Sequence, residues 1–293
     1  MNDLDVLCIG HASFDLVFSV SRHPAADEKT FADSMISCGG GPAANAAVCV
    51  ARLGLKAAFC GYLGNDVYAE KHLQDFQAEQ VNSSFVVRGE YPTPLSVVLA
   101  KPDGKRSLVN YKAETKALPA DSVDLIDCQP KVVLFDGHEP DISLSFLKHN
   151  PKALSILDGG SVHHGSLALI DKVEYLVCSE KFAKQYAGDE NLALSKMAEL
   201  APIVVITLGE RGLIWKRGLE NGKMTVPPVS PVDSTGAGDA FHGALAAALA
   251  LKYDWLDALR FASAAGAYCC TRLGARPGLP NRLQIQNILN NWQ

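Results

Sequence analysis

A chain of 293 residues, 48% hydrophobic and 20% charged, carries enough apolar side chain to bury a sizeable core, which excludes a disordered protein and leaves room for one large domain or two small ones. A formal charge of −5 offers no basic stripe of the kind that phosphate neutralisation requires, so no nucleic-acid partner is expected. The eight cysteines form no Cys-x-x-Cys pair and read as reduced core residues, and the start, MNDLDVLCIG, has two acids where a secretory signal needs a basic segment, so a cytoplasmic protein is expected.

In chain order, short β-branched runs at 6–10, 57–64, 132–137, 154–160, 174–179 and 202–209 predict central strands. Alanine- and leucine-rich stretches with helical spacing predict helices over 42–53, 67–79, 140–148, 166–171, 180–186, 191–199, 238–251 and 255–270. This alternation is that of an α/β protein with a mainly parallel central sheet flanked by helices. The most apolar segment, 240–251, falls short of the roughly 20 residues that span a bilayer, so no membrane partner is expected. Two stretches break the alternation, about 12–37 and 84–112, the second around a Pro102-Asp103-Gly104 turn. They predict a small discontinuous β lid on a single domain spanning 1–293, standing over the strand ends where open α/β sheets bind ligands.

The segment Pro231 to Ala250, PVDSTGAGDAFHGALAAALA, runs from a glycine-rich turn straight into an apolar helix. Gly236, Ala237 and Gly238 have little or no side chain, so their amides can converge at a helix N-terminus that favours an anion. Asp239 opens the same helix, where a carboxylate is stabilised as the ion and can take a proton from a hydroxyl. A tight turn followed by a first-turn helix acid would leave the same residues. Upstream, Gly39, Gly40 and Gly41 permit close backbone approach to a ligand, and Asn45 can both donate to and accept from a vicinal diol. Helix entry at Pro42 would also account for the glycines.

With both segments in this order, the chain resembles the ribokinase-like (pfkB) carbohydrate kinase family. Asp233 to Ala244 matches its DTxGAGDxFxGA signature, and Gly39 to Ala47, followed by ARLG and GYLGND, matches its N-terminal signature. The resemblance covers essentially the whole chain. It implies a ribokinase-like fold, ATP with magnesium as donor, and a small sugar, ketohexose or pentose, phosphorylated on a hydroxymethyl group. It implies Asp239 as general base, with the amides of 236–239 holding the charge that develops on the phosphoryl group. Asp15, at the end of GHASFD, would receive hydrogen bonds from sugar hydroxyls, and Thr207, Gly209 and Gly212 of TLGERG would lie beside the ATP phosphates.

The loop CTRLGARPGLP, 270–280, resembles the family segment that, with Asp233, supplies oxygens to a monovalent cation, which implies potassium; a loop-bracing acid is the other reading of Asp233. One departure is Ser179-Glu180-Lys181-Phe182 where the family has N-x-x-E, which makes Glu180 the candidate to place a hydrated magnesium. GGGPAA, FHGALA and the 270–280 tail are closest to the branch that includes sulfofructose kinases. By that likeness Lys29, Asn110 and His138 line the far end of the sugar pocket, His138 standing where the branch favours an arginine. A sugar kinase leads, with a sulfofructose kinase, a nucleoside kinase and a non-catalytic sugar-binding regulator as alternatives. A homodimer through the lid is a further expectation.

Overall fold

The computed structural model describes residues 4–292. The first half contains β1 (Val6–Ile9), β2 (Ser13–Ser19), β3 (Ser34–Gly40), α1 (Pro42–Arg52), β4 (Ala57–Gly64), α2 (Val67–Ala78), β5 (Asn82–Gly89), β6 (Leu95–Ala100) and β7 (Arg106–Tyr111). Then come β8 (Val132–Phe135), α3 (Pro140–His149), β9 (Leu154–Gly159), α4 (His164–Leu169), β10 (Tyr175–Ser179), α5 (Glu180–Ala187), α6 (Glu190–Met197) and β11 (Ile203–Thr207). A 3₁₀ turn at Gly209–Arg211 leads to β12 (Leu213–Arg217), β13 (Glu220–Met224), α7 (Ala237–Ala250), α8 (Trp255–Cys269), α9 (Ala275–Gly278) and α10 (Arg282–Asn290).

Nine strands form the main sheet in the order β13-β12-β11-β10-β9-β8-β1-β4-β5. From β5 across to β11 every pairing is parallel, and β12 and β13 extend the sheet by two antiparallel pairings, β11–β12 and β12–β13. β1 and β8 are buried at every position, as near-continuous apolar runs demand when helices cover both faces. One face packs on α1, α7 and α8 through alanine-rich surfaces that let the helices approach closely, and the other packs on α3, α5 and α6 through Phe146, Phe182 and Met197. The seven cysteines other than Cys270 are buried, and all eight are free thiols. Among the described residues, no helix is long and apolar enough to cross a membrane.

The second sheet has four strands in the order β3-β2-β6-β7 and is the lid. Its boundaries correct the expectation in one place. Residues 84–89 belong to β5, which pairs with β4 at the edge of the main sheet, because Phe85 and Val87 pack into one core layer and Val86 into the other. The lid strands are therefore 13–19, 34–40, 95–100 and 106–111. The Pro102-Asp103-Gly104 turn joins β6 to β7 and docks on the glycine-rich segment. Gly104 forms a parallel bridge with Asp233, the Arg106 guanidinium donates to Ser234 Oγ at 2.6 Å, and Ser234 Oγ donates to the Gly104 carbonyl at 3.2 Å.

Candidate active site

The first turn of α7 is built to keep its amides open. Gly236, the cap residue, has φ +80°, and a Cβ there would stand 2.6 Å from that of Ala275, so the turn requires glycine. A Cβ on Gly238 would meet nothing within 4 Å, which leaves space beside the helix N-terminus. Asp239 lies at the edge of that space. Its Oδ2 accepts from Asn45 Nδ2 at 2.7 Å, and Asn45 Oδ1 accepts from Arg276 Nε at 3.3 Å. Burial pushes the Asp239 carboxyl up to about 7, the Asp158 charge adds to the rise, and the Asn45 bond opposes it.

Beside Asp239 lies a second acid. His242, buried on α7, points Nδ1 at the Gly238 carbonyl at 2.7 Å and at Asp158 Oδ2 at 3.2 Å, with Nε2 3.2 Å from the Val177 carbonyl. Burial holds the His242 ring below its ordinary value, and through these contacts it ties the first turn of α7 to the ends of β9 and β10. Burial, then the charge of Asp136, raises Asp158 to about 8, so at neutral pH the pair retains an acidic proton.

A second group of polar residues is formed by the turn into α1 and the inner face of the lid. A Cβ on Gly40 would overlap the Asp15 carboxylate at 2.3 Å, so only glycine lets this backbone lie against the acid. Asp15 accepts from Ser13 Oγ at 2.8 Å; burial raises its carboxyl, opposed by the hydroxyls of Ser13 and Ser96 and by Arg276. The register aligns Asp15 with Ser96 and Ser96 with Asn110, which places Asn110 on the Asp15 face of the lid. His138 sits just past β8, between His11 and His163. Arg276 is buried under Gly39, its guanidinium 3.6 Å from Asp75 and over the Phe76 ring.

Not every expected residue joins this group. Lys29 is exposed in the loop between β2 and β3, its ammonium over the Phe31 ring at 5.9 Å. The register explains why: Ser13 faces Gly40 at the site, whereas Ser19 faces Ser34 at the far end, from which that loop departs. Asn45 is present, but both polar atoms of its side chain already serve Asp239 and Arg276. Glu180 pairs with Lys184 and with Arg211 at 3.0 Å, and their hydrogen bonds hold its carboxyl below the ordinary value. Its carboxylate is thus committed to two cations rather than turned to a metal. Among the described residues no cluster of three or more metal-ligating side chains occurs.

Thr207 ends β11 with its hydroxyl 3.4 Å from the Cys178 carbonyl; Gly209 and Gly212 follow with φ +61° and +91° and shape the turn there. Asp233 is fully buried. Its Oδ1 accepts from Thr235 N and Oγ1 at 2.9 and 2.6 Å, and its Oδ2 accepts from Gly274 N at 2.8 Å, so it braces the two loops together. Sequence reasoning missed Arg106, Arg276 and the Asp158–His242 pair. A basic residue three places after the Asp103 turn, an arginine inside a glycine- and proline-rich loop and a histidine in an alanine helix were the available signals.

Residues 3–282 match the description "pfkB family carbohydrate kinase". The chain is 29% identical to a ribokinase of Bacillus subtilis over 98% of this chain and 99% of that protein. It is 27% identical to probable fructokinase-4 of Arabidopsis thaliana, covering 97% and 96%. The solved structure of Arabidopsis thaliana ribokinase complexed with ribose and ATP superposes with a TM-score of 0.83 at 26% identity, covering 98% of each chain. The chain belongs to the pfkB family of carbohydrate kinases, phosphotransferases that act on sugar hydroxyl groups.

Proposed function

We propose that the chain transfers the γ-phosphoryl group of ATP to a hydroxymethyl group of a small sugar, a ketohexose or pentose, with Asp239 as general base. The observation that carries this reading is Asp239 in the first turn of α7, bonded to Asn45 and bordering the open space beside Gly238. The sugar lies against Gly39–Gly41 with its hydroxyls on Asp15, and the accepted hydroxyl donates to Asp239. As oxygen attacks phosphorus, its proton passes to the carboxylate, and the amides at 236–239 take up the charge on the equatorial oxygens. Arg106, reaching from the lid to Ser234, adds a positive charge on the same side. The ribose and ATP held by the Arabidopsis relative support the choice of substrates.

Magnesium on the ATP phosphates would supply charge neutralisation, and with Glu180 held by Lys184 and Arg211 the phosphates and water would have to hold it. Potassium fits better. Asp233 is a buried carboxylate with only neutral donors among its hydrogen-bond partners, an arrangement that a nearby monovalent cation would stabilise. Activity in potassium should exceed that in tetramethylammonium, and equal rates would remove the cation.

The outer lid face, with Met35, Val109 and Tyr111 exposed beside Leu16 and Val97, is apolar enough to receive a second copy. A nucleoside is less favoured, because the Phe14 ring lies 5.3 Å from that of Tyr68, tilted by 34°, Phe18 shares the outer lid face, and Phe31 is exposed in the loop beyond it. The likeness to the branch with sulfofructose kinases keeps a sulfonated ketohexose among the acceptors. The test is ADP release from purified protein across pentoses, ketohexoses and nucleosides; no sugar-dependent ADP would overturn the kinase reading.

A further inference from the structure

The guanidinium of Arg276 is buried where α1, α2 and the loop carrying α9 meet. The main chain of that loop is tied to α1 by Arg52, whose Nη1 donates to the Arg276 carbonyl at 2.8 Å and to the Leu279 carbonyl at 2.7 Å. From there the Arg276 side chain runs under Gly39, where a Cβ would stand 2.6 Å from Nη1, and over the Phe76 ring, 5.5 Å from its centroid. Nε donates to Asn45 Oδ1 at 3.3 Å. Nη1 has no hydrogen-bond partner and lies 3.6 Å from Asp75 Oδ2. Nη2 lies 3.5 Å from His72 Nε2, an atom that also faces the Gly40 carbonyl at 3.2 Å. Burial and the Arg276 charge push His72 down to about 3, so the ring is neutral and its Nε2 proton serves that carbonyl.

A buried guanidinium with one nitrogen unpaired costs stability and returns little of it, so packing alone does not explain the residue. Its effect on Asn45 does. The carboxamide carries an acceptor and a donor of nearly the same shape, and its neighbours decide which way it faces. One neighbour is Asp239, whose demand changes with its own state: the carboxylate accepts, whereas the protonated acid also donates. Left to itself, the amide could turn to satisfy either form. Arg276 is always a donor and never an acceptor, so it claims Oδ1 and commits Nδ2 to Asp239. An amide fixed in this way favours the carboxylate over the protonated acid.

We propose that Arg276 is a positioning residue for phosphoryl transfer, acting through Asn45 by locking its amide toward Asp239 so that the unprotonated form of Asp239 is favoured. The proposal rests on the reading of Asp239 as the base. The other groups bearing on Asp239 are Asp158, His242 and Arg106, with the buried thiols of Cys49 and Cys269; those facing Arg276 are Asp15, Asp75, Cys38, His72 and Arg52. Among the described residues, only Asp239 and Arg276 are hydrogen-bonded to the Asn45 amide. Burial holds Asp239 up at about 7 and the Asn45 bond pulls it down, so freeing the amide should move its titration to higher pH. Arg276 also opposes the rise of Asp15, the proposed sugar contact, so kcat at saturating sugar is the rate to follow and KM is kept apart from it.

The experiment measures kcat from about pH 6 to 9 with saturating fructose or ribose, whichever turns over faster, in wild type, Arg276→Met, Arg276→Lys, Asn45→Leu and the double variant of Arg276→Met with Asn45→Leu. Carboxyl carbon-13 NMR of the same proteins without substrates follows Asp239 itself, its signal identified by loss in Asp239→Asn. Arg276→Met should raise the midpoint of the acid limb by about one pH unit, so that kcat falls roughly fivefold at pH 7 and hardly changes at pH 9. Arg276→Lys, still a donor only, should restore most of the wild-type profile. Asn45→Leu should raise the midpoint alike, and adding Arg276→Met to it should raise it no further. Should Arg276→Met fail to fold, Arg276→Gln, which accepts as well as donates and so no longer fixes the amide, carries the same test. A midpoint unmoved in both kcat and NMR overturns the proposal and leaves the kinase reading standing. So does a further rise in the Asn45→Leu background, which would make Arg276 act by its field. If neither sugar turns over, the NMR midpoints decide the proposal by the same outcomes. A shifted NMR midpoint together with full activity of Asp239→Asn supports the positioning role and overturns Asp239 as the base.

Discussion

Around Asp239 polar side chains are tied down inside the protein, whereas just past β1 and β8 they are left open. Asp239 is held by Asn45, Asn45 by Arg276, and the first turn of α7 by His242 and Asp158. At the ends of those two strands, His11 and His138 present unbonded rings, and only their main chains are fixed, by Asp136. Phosphoryl transfer is the same for every acceptor and gains from groups that need not move, so its residues are braced. Side chains with no part in the transfer are under no such demand, and these two rings meet each other without a hydrogen bond.

The largest expected effect lies at the braced end. Asp239→Asn keeps size and polarity but removes the proton acceptor, so kcat should fall by about 10²- to 10⁴-fold with sugar KM little changed. Steady-state kinetics on purified protein test this, and a variant retaining more than about half the wild-type rate would show that Asp239 is not the base. Next comes Arg106→Gln, which removes the charge that the lid brings to Ser234. It should lower kcat about 10- to 100-fold, with less change in KM for the sugar, as expected for a group whose charge matters most in the transition state. An equal loss at every stage, including lower thermal stability, would instead make Arg106 a brace for the hairpin.

A subtler test uses pH. As the proposed base Asp239 works only as the carboxylate, and burial above all holds its carboxyl up at about 7. The rate should therefore fall as pH drops through about 7, because the base takes up a proton before the sugar can deliver one. Asp158, raised to about 8, keeps its proton while Asp239 titrates, so Asp158→Asn exchanges one neutral group for another and should leave this acid limb in place. A limb that moves to lower pH would mean that Asp158 is ionised beside Asp239.

The two regions also differ in how far the sequence discloses them. GAGD and GGG compress Asp239, the amides before it and the turn into α1 into two short segments, so these groupings of Asp239, Gly236 and Gly40 lie in the sequence itself. The brace could not. Asn45, Arg276 and Asp158 come from three distant segments, and only the packing of α1, the 270–280 loop and β9 brings them under α7. The meeting of His11, His138 and His163 depends on sheet order, which puts the ends of β1, β8 and β9 side by side. At the level of fold, the fully buried strands were legible from their apolar runs. β5 was misplaced because a three-residue apolar run, Phe85 to Val87, between polar residues suits a lid and a sheet edge equally. β12 and β13 were missed because the apolar run of the hairpin, Leu213 to Trp215, is only three residues long and Lys216 to Lys223 carries little apolar side chain.

The smallest expected effect tests how far the sugar site reaches. Lys29 is exposed, stacked over Phe31, in a loop that leaves the lid at the end away from Gly40. Within one chain it therefore has no route to the substrate, and Lys29→Ala should change KM for anionic and neutral sugars alike by less than about twofold, as for a solvated surface charge. Selective loss toward the anionic sugar would place this ammonium in the pocket of a second copy, since the exposed Met35 and Val109 offer a surface through which two lids could meet. Light scattering on wild type and on Val109→Asp separates the cases. A dimer that dissociates in Val109→Asp, together with the same selective loss, would make the sugar site one completed by the partner's lid, whereas a monomer with unchanged kinetics leaves it to the residues of one chain.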